Sequence, residues 1–143
     1  MAPTHVLVAL DGSPLADEAL AHALAVYECR LTVLNIVTPL DAGMAEGGVL
    51  TADDSRLEAA EERAERLIER AKTQATAADR EIDTAVRSGD PAETIVEYAD
   101  ANDVDHIVMG SHGSERGAVT RRLLGTVSTD VLGEAPVSVT VIR

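Results

Sequence analysis

The sequence predicts an α/β fold, a single doubly wound five-stranded parallel sheet in the order 3-2-1-4-5, formed by residues 1–143 as one domain. Two observations carry this expectation. Short apolar runs of strand length alternate along the chain with longer segments of helical periodicity, giving β-α-β-α-β-α-β-α-β. Several of those runs are apolar at nearly every position, as strands covered by helices on both faces must be. Right-handed crossovers with one reversal of direction then set the first and fourth strands side by side.

The first strand is His5-Val-Leu-Val-Ala-Leu10, and it ends in the turn Asp11-Gly-Ser-Pro14. Ser13 is placed to cap a helix and Pro14 suits its first position. Leu15, Ala19, Leu20, Ala23, Leu24 and Tyr27 recur on one face of that helix. The β-rich run Leu31-Thr-Val-Leu-Asn-Ile-Val37 follows, closed by Pro39. Residues 40–50 contain three glycines and read as a loop, after which Thr51 or Asp53 is expected to cap a long helix. Its buried stripe is Leu57, Ala60, Ala64, Leu67, Ile68, Ala71 and Ala75, and Glu62 and Arg66 are spaced for an ion pair on the solvated face.

Glu81 to Arg87 has few large apolar residues and reads as an edge strand. Ser88-Gly-Asp-Pro-Ala-Glu93 is a helix start. The Asp90 carboxylate can accept from the Glu93 amide, Glu93 can reach back to Asp90, and Pro91 lacks only an amide hydrogen that the first turn does not use. Ile95, Val96 and Ala99 then face the sheet until Asn102-Asp103. Asp105 to Met109 is the fourth strand, Thr126 to Gly133 the last helix and Val137 to Ile142 the last strand.

Composition removes several function classes. With no Phe or Trp, and Tyr27 and Tyr98 as the aromatics, the core is aliphatic and a base-stacking platform for single-stranded nucleic acid cannot be built. A net charge of -13 argues against nucleic acid and anionic membranes as partners. Lys72 is the single lysine, and acidic excess with lysine depletion resembles proteins from salt-loving microbes. Cys29 stands alone, so no intramolecular disulfide is expected and a reducing cytoplasm is the simplest location. Met1-Ala-Pro-Thr4 lacks the regions of a secretory signal, and no apolar run has the length of a membrane span.

The candidate site lies where the first and fourth strands meet at their carboxyl ends, which brings Asp11 beside Gly110 and Gly113. Glycines after a strand let backbone amides approach a ligand, and Gly125-Thr126 opens a helix whose N-terminus carries partial positive charge. The pattern points to a phosphate cradle. The turn after the first strand is not Gly-x-Gly-x-x-Gly, and no Gly-Lys-Ser/Thr occurs, so dinucleotide and Walker A sites are not expected. Asp11 can alternatively cap the turn that follows it, and His112 reads more simply as a solvated loop histidine. Arg116, Arg121 and Arg122 suit either a phosphate or neighbouring carboxylates. No Ser-His-Asp spacing, metal-ligand cluster or paired carboxylate set can be read out.

Along nearly its whole length the chain resembles the universal stress protein family. The resemblance rests on the first strand ending in Asp11-Gly-Ser, the Gly89-Asp-Pro helix start, Val108-Met-Gly-Ser-His-Gly113, Leu123-Leu-Gly-Thr-Val127 and the ending Pro136-Val-Ser-Val-Thr-Val141. It implies an adenine nucleotide α-hydrolase-like fold. Nucleotide-binding members resemble Gly-x2-Gly-x9-Gly-Ser/Thr, which implies cofactor roles here for Asp11, Met109, Gly110, Gly113, Gly125, Thr126 and Val127. Ala9, Leu10 and Ile36 would line the adenine pocket. Eleven residues rather than nine separate Gly113 from Gly125, and Ser114-Glu115 reads as a two-residue insertion that sets a carboxylate near the phosphates.

The function implied is an ATP-binding regulatory homodimer of the stress response that hydrolyses slowly at most. Mg²⁺ would accompany the nucleotide and offset the acidic surroundings. The dimer would form through the last strand, whose β-branched edge invites pairing with its copy. A nucleotide-free dimeric stress protein acting through its surfaces is the alternative.

Overall fold

The computed structural model describes residues 2–38, 50–111 and 125–143, with the backbone alone for residues 50–56. Strands β1 (His5–Ala9), β2 (Arg30–Val37), β3 (Asp83–Ser88), β4 (His106–Gly110) and β5 (Ser138–Ile142) form one parallel sheet in the order β3-β2-β1-β4-β5. This is the predicted topology, with β1 and β4 as neighbours in the register Val6 to His106 through Val8 to Val108. Helices α1 (Pro14–Val26) and α2 (Leu50–Ala77) cover one face, and α3 (Pro91–Ala101) and α4 (Thr126–Glu134) cover the other.

Alternation along each strand feeds both layers. Val6, Val8, Val33 and Val108 pack beneath α1 and α2, whereas Leu7, Leu34, Ile107 and Met109 pack beneath α3 and α4. Val6, Leu7 and Val8 are all 0% exposed, so β1 is covered on both sides, which is why its sequence is apolar at every position after His5. Burying each large aliphatic side chain contributes about 1.5–3 kcal/mol, which concentrates stability at the centre of the sheet.

Two helix starts form as their sequences require. Ser13 caps α1 by accepting from the Ala16 amide at 3.2 Å, with Pro14 at the first position. Asp90 caps α3 by accepting from the Glu93 amide at 3.1 Å, with Pro91 following.

Other expectations need correction. α2 begins at Leu50, so Thr51 and Asp53 lie inside it and neither is its cap; a carboxylate in the first turn is favoured by the helix dipole whether or not it caps. Leu57 is 41% exposed rather than part of the buried stripe, which starts at Ala60. A helix of 28 residues is about 42 Å long, against about 27 Å for the eight residues of β2, so its first turns overhang the sheet. On the solvated face of α2, Lys72 pairs with Glu69 at 3.6 Å. Ala16 and Ala92 are buried on α1 and α3, while Leu15 and Val96 are half-buried, and Tyr27, the C-cap of α1, packs against the same core as the rest of the stripe. The loop expected at residues 40–50 lies outside the described residues up to 49.

The end of the sheet remote from the candidate site is tied by polar contacts. Asp105 accepts from the Thr4 amide at 2.8 Å, the Thr4 hydroxyl at 2.9 Å and the His5 amide at 3.2 Å. Buried His5 lies 3.1 Å from the Asn102 carbonyl through Nδ1 and 2.7 Å from the Thr32 hydroxyl through Nε2. His106 Nε2 sits 2.7 Å from the Thr140 hydroxyl and 3.3 Å from the Tyr27 hydroxyl, and the Tyr27 ring also meets His22.

Burial holds the His106 imidazole below its ordinary value of 6.5; Asp105 opposes that shift and His22 adds to it. A histidine lowered in the folded state stabilises the fold fully above its unfolded value and loses that contribution as pH falls through it. The urea midpoint is therefore expected to drop as pH falls below the ordinary 6.5 of the histidine, a window above the one in which Asp105, itself held below 3.8, would titrate. His106→Gln should flatten the drop, and an unchanged slope in that variant would assign it to other groups.

Candidate functional site

At the carboxyl ends of β1 and β4 the structure opens a cleft of about 700 Å³. Its walls include Ala9, Leu10, Asp11, Ile36, Met109, Gly110, Gly125, Thr126 and Val127. Every sequence-predicted site residue within the described part of the chain therefore reaches one crevice. Gly113, His112, Ser114, Glu115, Arg116, Arg121 and Arg122 lie outside the described residues.

The floor is fixed by β1 and β2. Leu10 donates its amide to the Leu34 carbonyl at 2.9 Å, and the Asn35 side-chain amide donates to the Leu10 carbonyl at 2.7 Å. Asn35 is 4% exposed, so this bond satisfies a polar group where an unpaired one would cost about 1–3 kcal/mol. The chain then turns through Gly12, whose φ of 86° is a conformation that side-chain-bearing residues disfavour. Within that turn the Ser13 amide donates to Asp11 Oδ1 at 2.9 Å. Asp11 is thus a turn-former as well as an exposed carboxylate at the cleft.

The opposite wall joins β4 to α4. Buried Ser111 donates its amide to the Ile142 carbonyl at 2.8 Å, and its own carbonyl accepts from the Gly125 amide and the Ser128 hydroxyl, each at 2.6 Å. The Gly125 amide is therefore committed to the protein. Gly125 is the N-cap of α4 and supplies no side-chain cap. The amides that the first turn of α4 directs away from the helix are those of Thr126, Val127 and Ser128. Gly110 also has a reason the sequence did not reveal. A Cβ there would lie 2.8 Å from Leu15 Cβ and 3.1 Å from the Leu15 carbonyl carbon, so this glycine admits the first turn of α1 against β4.

Several lining residues escaped the sequence reading. Ser111 and Ser128 are small polar residues with no distinctive spacing, whereas Asn35, a lone amide inside an apolar strand, was a usable signal. Arg63 reaches the cleft from α2, a helix otherwise read as a solvated charged face. Among the described residues no group of three His, Cys, Asp or Glu side chains is disposed to hold a metal ion, and no helix is long and apolar enough to cross a membrane.

The fold and cleft define a doubly wound α/β protein with a crevice at the topological switch point. More specifically, the chain belongs to the universal stress protein family, whose profile matches residues 3–143. A Thermus aquaticus relative, the universal stress protein in the QAH/OAS sulfhydrylase 3′ region, is 37% identical over 141 residues, 96% of this chain and 97% of that protein. The universal stress protein UspA from Lactobacillus plantarum has a TM-score of 0.85 at 26% identity, covering 100% of this chain and 99% of that one. A universal stress protein solved in complex with cAMP shares the fold with a TM-score of 0.70 at 24% identity, over 100% and 99% of the two chains.

Proposed function

We propose that this chain is a stress-response regulator that binds ATP in the switch-point cleft and works as a homodimer paired through β5. The observation that carries the reading is the mixed lining of the cleft, apolar side chains together with the N-terminal turn of α4. Ala9, Leu34, Ile36 and Met109 supply apolar surface suited to adenine, while the outward amides of Thr126 and Val127 and the Thr126 hydroxyl supply donors suited to phosphate oxygens. The volume of about 700 Å³ lies within the usual range for small-molecule sites. The fold is also one on which a solved relative holds cAMP.

Asp11 stands at the rim, where its carboxylate suits a ribose hydroxyl or the Mg²⁺ that accompanies a triphosphate. The ion would shield the phosphates from the acidic remainder of the protein. Gly113 would complete the cradle in the segment outside the described residues. The site is proposed to bind rather than turn over rapidly, because hydrolysis needs a positioned water and charge stabilisation at the γ-phosphate. A cytoplasmic location and the absence of nucleic acid and membrane partners belong to the same reading.

Calorimetry with Mg-ATP in molar KCl tests the proposal, since that salt screens the repulsion between the ligand and a chain of charge -13. Saturable heat at one site per chain is expected. The absence of any heat overturns it and leaves a nucleotide-free dimer that acts through its surfaces.

A further inference from the structure

The charged residues lining the cleft, among those described, are Asp11 and Arg63. Arg63 precedes Leu67 by four residues on α2, so the two share a helix face. Leu67 packs over the turn after β1, with its Cδ2 3.2 Å from the point a Cβ on Gly12 would occupy. That contact carries the face bearing Arg63 across the Asp11–Ser13 turn and sets Arg63, an exposed residue, in the cleft wall from the sheet face opposite α4.

An arginine at this place in a chain of net charge -13 puts a cationic side chain on the cleft wall, whereas α4 contributes amide dipoles. The guanidinium fork matches phosphate oxygens in paired hydrogen bonds. Asp11, the acidic counterpart, is engaged through one oxygen with the Ser13 amide.

We infer that Arg63 is the specificity-determining residue through which the cleft reads the phosphate charge of its ligand, favouring nucleoside polyphosphates over nucleosides. The inference rests on the nucleotide-binding reading above. The ligand would be held from both sheet faces, by α4 through backbone amides and by α2 through this one side chain.

The experiment is a calorimetric series with adenosine, AMP, Mg-ADP and Mg-ATP on wild type, Arg63→Ala and Arg63→Lys at one fixed salt concentration. Wild-type affinity is expected to rise along the series. Arg63→Ala should lose about tenfold or more for Mg-ATP, the range for a hydrogen bond to a charged group, and under about twofold for adenosine. Arg63→Lys should recover part of the Mg-ATP affinity, since it keeps the charge and loses the fork. Melting temperatures of the three proteins are measured alongside, so that a lost interaction within the fold is told apart from a lost contact to the ligand.

If Arg63→Ala binds Mg-ATP and adenosine in the wild-type ratio, the inference is wrong and the nucleotide site stands. An equal loss for both ligands also overturns it and makes Arg63 a contact to the base or ribose. Silence of the wild type toward all four ligands removes the nucleotide reading and this inference together.

Discussion

Gly110→Ala is expected to destabilise the protein by about 1–3 kcal/mol, the range for overpacked interior sites, with a fall in melting temperature of roughly 3 °C per kcal/mol at this chain length. The added methyl would meet Leu15 Cβ at 2.8 Å, the Leu15 carbonyl carbon at 3.1 Å and the Ala16 amide nitrogen at 3.3 Å. None of these atoms is the far end of a flexible side chain. Relief requires the first turn of α1 to move away from β4, and that turn carries Ser13, whose amide holds Asp11 and whose hydroxyl caps the helix. Stability and ligand affinity should therefore fall together. Gly133→Ala is the control: a Cβ there meets nothing within 4 Å, and replacing a helical glycine should add about 0.5–1 kcal/mol. Thermal melts followed by circular dichroism check both variants, and an unchanged melting temperature in Gly110→Ala would show that α1 does not need this close approach.

That contrast shows which kinds of information the sequence held. Parallel strands covered on two faces must be apolar at successive positions, so β1, β2 and β4 announced themselves, and their alternation with helices led to the strand order. Ser13 and Asp90 were legible because a proline after a capping residue marks a helix start locally. Gly110 was read as a position where backbone meets ligand, yet the structure shows it admitting a helix. Both requirements select the same residue, and only the packing of α1 separates them. The pairing of the Gly125 amide with Ser111 joins residues far apart in sequence and leaves no local trace. Leu57 continues the periodic stripe of α2 past the place where the sheet ends, because periodicity reports a helix face and not the length of what it covers. Arg63 was lost for the complementary reason. A charged helix face is ordinarily solvated, and only the crossing of α2 over the turn at Gly12 turns one of its arginines toward a cleft.

Val139→Pro is expected to convert the proposed dimer into a monomer and halve its mass to the 15.0 kDa of one chain. β5 forms an edge of the sheet, hydrogen-bonded to β4 on one side. The Ile142 carbonyl accepts from the Ser111 amide at 2.8 Å and so faces the β4 side. Backbone groups of successive strand residues alternate between edges, which directs those of Val139 and Val141 outward to where a second copy would pair. Proline at 139 removes an outward donor without removing a β4–β5 bond. The Val139 side chain is half-buried against the α3 and α4 layer, so lost packing must be separated from lost pairing. Val139→Thr keeps the donor and the β-branched shape while changing the packing surface, and it should remain dimeric. Light scattering distinguishes the cases, with circular dichroism confirming that each variant stays folded. A folded Val139→Pro protein that keeps the dimer mass would place the interface on another surface, and a monomeric wild type would remove the dimer altogether.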